Sequence, residues 1–188
     1  MKISNYNIVL GSNSTRRKEI LSQIGFEFEV RVSEKEELYP EDLKGKEVSE
    51  FLAIQKSENL QESLKENELL ITADTIVVNK DLLLNKPRNK KESVKMLKSL
   101  SGKTHKVTTS VCLLTLEKRK VFSVTTLVTF SDLSEEIISY YIEKYRPFDK
   151  AGSYGIQEWI GLVSIEKIEG SYTNVVGLPS SKLFEKIR

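Results

Sequence analysis

One nearly continuous apolar segment limits what this chain can fold into. Residues 69–78 read Leu-Leu-Ile-Thr-Ala-Asp-Thr-Ile-Val-Val, and such a run predicts a central β-strand that is covered on both faces. Asp74 interrupts this run, and an ionised carboxylate there is costly unless it is paired, hydrogen-bonded or bound to a metal. Asp74 is therefore a candidate for catalysis or metal binding, with a structural ion pair as the alternative.

The segments around this strand indicate a mixed sheet with flanking helices. Period-two or continuous apolar patterns predict strands at residues 6–10, 26–32, 69–78, 82–84, 107–116, 121–130, 162–168 and 173–176. Helical spacing and capping residues predict helices at residues 15–24, 47–64, 90–100 and 135–145. Because hairpins occur beside β-to-α turns, the predicted class is α/β (mixed α+β) with a mixed sheet.

Composition narrows the classes of protein that fit. A length of 188 residues with 39% hydrophobic content favours one domain, residues 1–188. The formal net charge of +2 does not favour long nucleic acid as a partner. A single cysteine, Cys112, excludes an intrachain disulfide and fits a buried thiol in a cytoplasmic protein. No stretch approaches the roughly 18 apolar residues that a membrane helix needs.

A turn followed by a basic helix start is a candidate phosphate site. Gly11-Ser12-Asn13-Ser14 precedes a helix that opens with Thr15-Arg16-Arg17. The free backbone amides of a helix start attract anions, and two arginines add positive charge and forked donors. A solvated first turn is the alternative. The glycine spacing of a Walker loop and of a dinucleotide-binding fingerprint is absent.

Other polar residues are weaker candidates when taken alone. Lys86 beside Pro87 could reach a phosphate, although most lysines are simply solvated. The acidic stretch with Glu34, Glu36 and Glu37 is either a solvated loop or the source of a metal ligand. His105, the only histidine, more often marks a strand start or the surface than a catalytic triad.

A glycine-containing segment, residues 149–157, ends in a candidate base-recognising side chain. The primary amide of Gln157 can both donate and accept hydrogen bonds, as reading a base edge requires. An ordinary glycine-rich connection is the alternative. Tyr154 and Trp159 are candidates for stacking on a base, although aromatic residues more often fill a core.

Taken in order, these segments resemble the Maf family of nucleotide pyrophosphatases. Residues 10–21 resemble the opening motif of the family and residues 73–78 its central motif. Four further blocks agree along essentially the whole chain: residues 84–87, residues 100–105, residues 149–157, and residues 168–172 together with 174–179. Six ordered motifs make a specific resemblance.

The resemblance implies both a fold and a reaction. The fold would be an elongated mixed β-sheet with flanking helices that form two lobes around a cleft, similar to inosine triphosphate pyrophosphatases. The reaction would be hydrolysis of a nucleoside triphosphate between its α and β phosphates, with Mg²⁺ or Mn²⁺ as cofactor. Charge neutralisation and positioning are the main demands of such chemistry. Homodimer formation is an expectation that rests on the resemblance alone.

The family roles can be carried onto matching positions of this chain. Asp74 would be the base that activates water, and Glu37 would assist it at the metal. The residues that would grip the triphosphate are Ser12, Arg16, Arg17, Lys56 and Lys86.

Three positions are similar to the dTTP/UTP pyrophosphatase subgroup: Arg16, Thr75 and Gln157. We therefore expect pyrimidine substrates, dTTP and UTP, with CTP or modified pyrimidine triphosphates as extensions. The chain departs from the family pattern at Gly11, where Ala is common, and at Glu158-Trp159, where Gly often follows the glutamine. The alternatives are a pyrophosphatase acting on 7-methyl-GTP or another modified nucleotide, and a non-catalytic nucleotide-binding regulator of septum formation.

Overall fold

A computed structural model describes residues 5–188 of the chain. Within this range the strands are β1 (Asn7–Leu10), β2 (Phe28–Val30), β3 (Glu68–Asn79), β4 (Leu82–Leu84), β5 (Thr104–Leu114), β6 (Arg119–Phe130) and β7 (Ile165–Glu169). The helices are α1 (Thr15–Gln23), α2 (Lys46–Glu58), α3 (Lys90–Leu100), α4 (Glu135–Tyr145), α5 (Trp159–Ser164), α6 (Tyr172–Val176) and α7 (Ser180–Ile187). No helix in residues 5–188 is long and apolar enough to cross a membrane.

The strands form one mixed sheet in the order β2-β1-β3-β5-β6-β7, with β4 attached to β3. β1 runs parallel to both β2 and β3, whereas β4 is antiparallel to β3 and β7 is antiparallel to β6. The predicted mixed sheet with helices is thus confirmed. Strand β3 lies between β1 and β5, and five of its apolar side chains are almost inaccessible to solvent: Leu70, Ile71, Ala73, Ile76 and Val77.

The predicted hairpin between residues 107 and 130 is also confirmed. β5 and β6 are neighbours in the sheet, and their facing hydroxyls pair at 2.9 Å in Thr108–Thr125 and in Ser110–Ser123. From the first pair to the second, the residue number rises by two in β5 and falls by two in β6, so the two strands are antiparallel. Thr115 N donates to Lys118 O at 2.9 Å and closes the turn.

The sequence prediction was wrong in three segments. Residues 173–176 are not a strand but part of α6, because the hydroxyl of Ser171 accepts from Asn174 N and the buried Asn174 amide bonds to Val107 O. Residues 162–164 belong to α5, so β7 starts only at Ile165. The helix predicted to reach residue 64 ends at Glu58, and a separate 3₁₀ turn covers Gln61–Ser63.

The described chain divides into two compact units. Unit 1 comprises the described residues up to Asp74, together with Thr109–Val124 and Gly177–Arg188. One of its apolar clusters contains Val9, Leu60, Leu64, Leu70 and Leu114. Unit 2 comprises Thr75–Thr108 and Thr125–Val176. Its larger core includes Leu97, Leu100, Val107, Val128, Phe130, Tyr141, Tyr154 and Ile160.

Candidate active site

The start of α1 in unit 1 is closed by side-chain hydrogen bonds. Ser14 is the N-cap, and its hydroxyl accepts from the backbone amide of Arg17 at 3.4 Å. The hydroxyl of Ser12 accepts from Ser14 N at 3.2 Å and from Arg17 Nη1 at 3.3 Å. Capping satisfies only part of the free amides of a helix start, and phosphate binding at this turn stays a prediction.

Arg17 is held at two points. Its Nε donates to the carbonyl oxygen of Gly177 at 2.9 Å, while Nη1 reaches Ser12. Burial lowers the pKa of Arg17, whereas the charges of Asp74 and Glu37 raise it and that of the half-buried Arg16 lowers it. The guanidinium is therefore a cation held in place, and it interacts electrostatically with both candidate metal ligands, Asp74 and Glu37.

Lys56, Asp74 and Glu37 form a charged cluster in unit 1. Lys56 Nζ lies 2.6 Å from Asp74 Oδ1 and 3.1 Å from Glu37 Oε2. Lys56 and Asp74 are largely buried, with side chains 16% and 14% exposed, while Glu37 is 46% exposed. The structure thus gives Asp74 the ion partner that its apolar surroundings require.

Helix α2 brings Lys56 to β3 because a nearby hydrogen bond fixes the two elements together. The buried Thr72 hydroxyl donates to Ala53 O at 2.6 Å, and Lys56 follows Ala53 by about one turn of α2. Asp74 follows Thr72 by two residues and so points to the same face of the strand. Glu37 lies in the irregular segment between β2 and α2, where a loop was predicted for the acidic stretch.

The donor set fits a hard divalent cation in partnership with phosphate. Glu37 and Asp74 direct oxygens toward one cationic point, now taken by the Lys56 ammonium. No group of three or more histidine, cysteine, aspartate or glutamate side chains suited to a metal occurs in residues 5–188. Mg²⁺ commonly binds through one or two carboxylates and leaves its other positions to water and substrate phosphates. Glu37 and Asp74 supply that number of carboxylates.

Three of the predicted site residues belong to unit 2. Thr75 follows Asp74 in β3 and is half-buried. Lys86 is exposed in the connection between β4 and α3. Gln157 is exposed in the segment before α5.

Of the two aromatic residues near Gln157, Tyr154 lies in the core and Trp159 is half-buried. Tyr154 is 5% exposed, its hydroxyl lies 2.7 Å from His105 Nε2, and its ring centroid lies 4.9 Å from that of Phe130. The suggestion that Tyr154 stacks on a base is wrong, since its ring belongs to the core. The half-buried Trp159 packs edge-on against Tyr140 with centroids 4.7 Å apart.

Comparison with known proteins assigns the chain to a family. The model of the Maf family, described as Maf-like protein, matches residues 7–188. The chain belongs to the Maf family. It is 48% identical to the dTTP/UTP pyrophosphatase of Flavobacterium johnsoniae over 98% of this chain and 95% of that protein. It is 47% identical to the dTTP/UTP pyrophosphatase of Bacteroides fragilis over 99% of this chain and 97% of that protein.

Among solved structures, this Maf chain is similar to the Ham1 protein of Staphylococcus aureus. The TM-score is 0.49 at 17% identity, over 67% of this chain and 72% of the other.

The sequence did not predict a charged network behind the Gln157 segment of this Maf chain. Glu158 accepts a hydrogen bond from the Tyr141 hydroxyl and pairs with Lys150 Nζ at 3.1 Å. Tyr141 lies on α4, 14 residues before Gly155, and the sequence placed it only in the helix predicted over residues 135–145. The sequence carries one signal at Lys150, which stands inside a family block next to Asp149, and the structure shows this lysine to be 9% exposed.

Proposed function

We propose that this Maf-family chain is a hydrolase that cuts dTTP and UTP between the α and β phosphates, releasing the nucleoside monophosphate and pyrophosphate. The observation that carries the proposal is the meeting of Asp74 and Glu37 on one cationic point. The family match over residues 7–188 and the names of relatives at 46–48% identity support it.

Asp74 takes the part of general base in this proposal. Its carboxylate accepts a proton from a water molecule as the water oxygen attacks the α phosphorus, and the α–β anhydride bond breaks with pyrophosphate as leaving group. Lys56 and Arg17 neutralise the charge that develops on the phosphate oxygens. Arg17 is well suited to this because Ser12 and Gly177 fix its fork before substrate arrives.

We assign the divalent metal, Mg²⁺ or Mn²⁺, to Glu37 and Asp74. A bound ion supplies charge neutralisation across neighbouring phosphates. The residues do the rest: Ser12 and Arg16 hold the phosphates at the start of α1, and Lys86 adds a point charge. Gln157, with Thr75 and Arg16, selects the pyrimidine base.

The test is pyrophosphate release with Mg²⁺ or Mn²⁺ across dTTP, UTP, CTP, GTP, ATP and 7-methyl-GTP. We expect release from dTTP and UTP, and a loss of about a hundredfold to ten-thousandfold in Asp74→Asn, because a general base typically contributes 10²–10⁴-fold. Asp81→Asn, at an exposed turn between β3 and β4, is the matched control and retains full activity.

The other outcomes of this panel separate the competing functions. Release from 7-methyl-GTP or a purine nucleotide alone would replace the pyrimidine assignment. Binding of nucleotide without release from any substrate would favour a non-catalytic regulator. Near-normal rates in Asp74→Asn would remove the general-base role.

Two further assignments belong to this proposal. A cytoplasmic location agrees with the single, buried and unpaired Cys112. A homodimer is tested directly by light scattering coupled to size-exclusion chromatography.

A further inference from the structure

The segment that carries Gln157 is anchored on both sides within unit 2. On one side, Tyr154 is buried and its hydroxyl meets His105 Nε2 at 2.7 Å. On the other, Glu158 is the N-cap of α5, and its backbone amide donates to Gly155 O at 3.0 Å. Between these anchors the Gln157 side chain is exposed, so its backbone is held while its amide faces solvent.

The Tyr141 hydroxyl links the two halves of this segment. It accepts a hydrogen bond from the backbone amide of Gly155 at 2.9 Å and donates its own proton to Glu158 Oε2. Tyr141 is fully buried, and burial together with the Glu158 carboxylate raises its pKa, so the hydroxyl stays a neutral donor. The Tyr141 hydroxyl oxygen therefore bonds to the main chain of Gly155, before Gln157, and to the side chain of Glu158, after it.

Lys150 completes the network. Its Nζ lies 3.1 Å from Glu158 Oε1 and 2.7 Å from Asp149 Oδ1, with only 10% of the side chain exposed. Each oxygen of the Glu158 carboxylate thus has its own partner. A carboxylate held at both oxygens has little freedom to rotate, and truncating one partner leaves a charge poorly compensated.

The carboxylate also limits the space beside Gln157. A Cβ built on Gly155 would lie 2.8 Å from Glu158 Cδ and 3.1 Å from Gln157 Nε2. Gly155 therefore allows the Glu158 and Gln157 side chains to approach the same stretch of backbone. Glu158 is a position where the sequence departs from the family pattern.

We infer that Tyr141, Glu158 and Lys150 are positioning residues that fix the backbone from which Gln157 presents its amide and thereby set how strongly the enzyme discriminates between bases. The inference rests on the proposed function, in which Gln157 selects the base. None of the three residues is assigned contact with substrate. They act through the backbone of residues 155–158.

The kinetic test compares Tyr141→Phe and Glu158→Gln with wild type. We expect the ratio of kcat/KM for dTTP to that for GTP to fall by about tenfold, the size that one lost hydrogen bond gives. The change arises from a higher KM for dTTP, while the inhibition constant of pyrophosphate stays unchanged. Tyr145→Phe is the matched control, because Tyr145 is on the same helix and stacks on Tyr141 at 5.2 Å.

A second measurement does not depend on activity. Hydrogen–deuterium exchange of the peptide covering residues 154–158 is expected to accelerate in both variants and to stay at the wild-type rate in Tyr145→Phe. Glu158, whose side chain is 19% exposed, provides the variant that folds if Tyr141→Phe does not.

The inference is overturned by unchanged exchange in both variants, by unchanged base discrimination in an active enzyme, or by an equal effect of Tyr145→Phe. A parallel rise in the pyrophosphate inhibition constant would also overturn it, since general loosening would then explain the data. If the proposed function fails, wild type releases no pyrophosphate from any nucleotide. In that case hydrogen–deuterium exchange alone tests whether the three residues anchor the backbone of residues 155–158.

Discussion

At the scale of single residues, Asp74 shows how a sequence anomaly becomes a site. A carboxylate inside an apolar strand had two interpretations, a structural ion pair or catalytic duty. The structure contains the ion pair, with Lys56 at 2.6 Å, and adds Glu37 on the same ammonium. A metal bound between the two carboxylates would replace the Lys56 ammonium there and leave it to bind a phosphate. The observed ion pair is therefore compatible with the proposed catalysis.

His105 makes stability depend on pH. It is 2% exposed, and burial lowers its pKa to about 4. An unfolded histidine takes up a proton below about pH 6.5, whereas the folded one stays neutral until about pH 4. The depressed folded pKa therefore means that stability falls as pH decreases through this window, by about 2–3 kcal/mol between pH 7 and pH 4.5.

The measurement is urea unfolding at pH 7 and pH 4.5 in wild type and His105→Gln. The substitution itself changes the free energy of unfolding at both pH values. The two proteins are therefore compared by the stability that each loses between pH 7 and pH 4.5. We expect the wild-type loss to exceed that of the variant by about 2 kcal/mol. Equal losses in the two proteins would contradict a buried neutral histidine.

Arg17→Lys tests whether fixed geometry or charge alone serves the phosphate site. Lysine keeps the positive charge but cannot bond to Gly177 O and Ser12 Oγ through a planar fork. We expect KM for dTTP to rise by roughly tenfold or more. Arg119→Lys, which affects only the exposed pair with Glu58, is the control, and equal KM values in the two variants would argue against a role for the fork.

At the scale of elements, strand β1 and the turn after it depend on Gly11 having no side chain. A Cβ on Gly11 would lie 2.6 Å from Thr72 Cγ2, closer than two carbons can approach. Alanine is common at this position in the family, yet here Thr72 occupies the space. We expect Gly11→Ala to destabilise the protein by about 1–3 kcal/mol.

The double variant Gly11→Ala/Thr72→Ser isolates the cause. Serine keeps the hydroxyl that donates to Ala53 O at 2.6 Å but removes the methyl group. Thermal unfolding should show most of the lost stability restored relative to Gly11→Ala. Thr72→Ser alone is the control, and failure to restore stability would shift the cause to Leu60 and Leu70, which lie near the same point.

Elements with their own local signals were predictable, and those set by distant contacts were not. Helix α3 was predicted with its observed bounds because Lys86-Pro87 and Gly102 mark its two ends, and the structure shows Asn89 as its N-cap. Residues 173–176 failed because β-branched composition favoured a strand, whereas the Asn174 amide reaches Val107 O across 67 positions of sequence. The same reason hid Tyr141, whose partners Gly155 and Glu158 are near only in the fold.

At the scale of the whole molecule, the sequence contains one thiol, and it is completely buried. Cys112 has 0% exposure, burial raises its pKa, and its thiol contacts the Ser57 hydroxyl at 3.3 Å. The thiolate is the reactive form. We therefore expect native protein to react with a thiol reagent at least about a hundredfold more slowly than unfolded protein, because labelling requires opening.

The experiment follows labelling of Cys112 against urea concentration, with and without Mg²⁺ and dTTP. Ligand that binds only the folded state should slow labelling further. Fast labelling of the native protein, insensitive to ligand, would contradict the buried position of the thiol.

The chain also has a single tryptophan, and its location gives the protein an optical reporter. Trp159 opens α5 directly after Glu158, and its indole is only half-buried against Tyr140. Emission wavelength and quenching therefore depend on the surroundings of the segment that presents Gln157. Titration of dTTP into unlabelled protein can be followed by fluorescence alone, with no signal from a second indole to subtract.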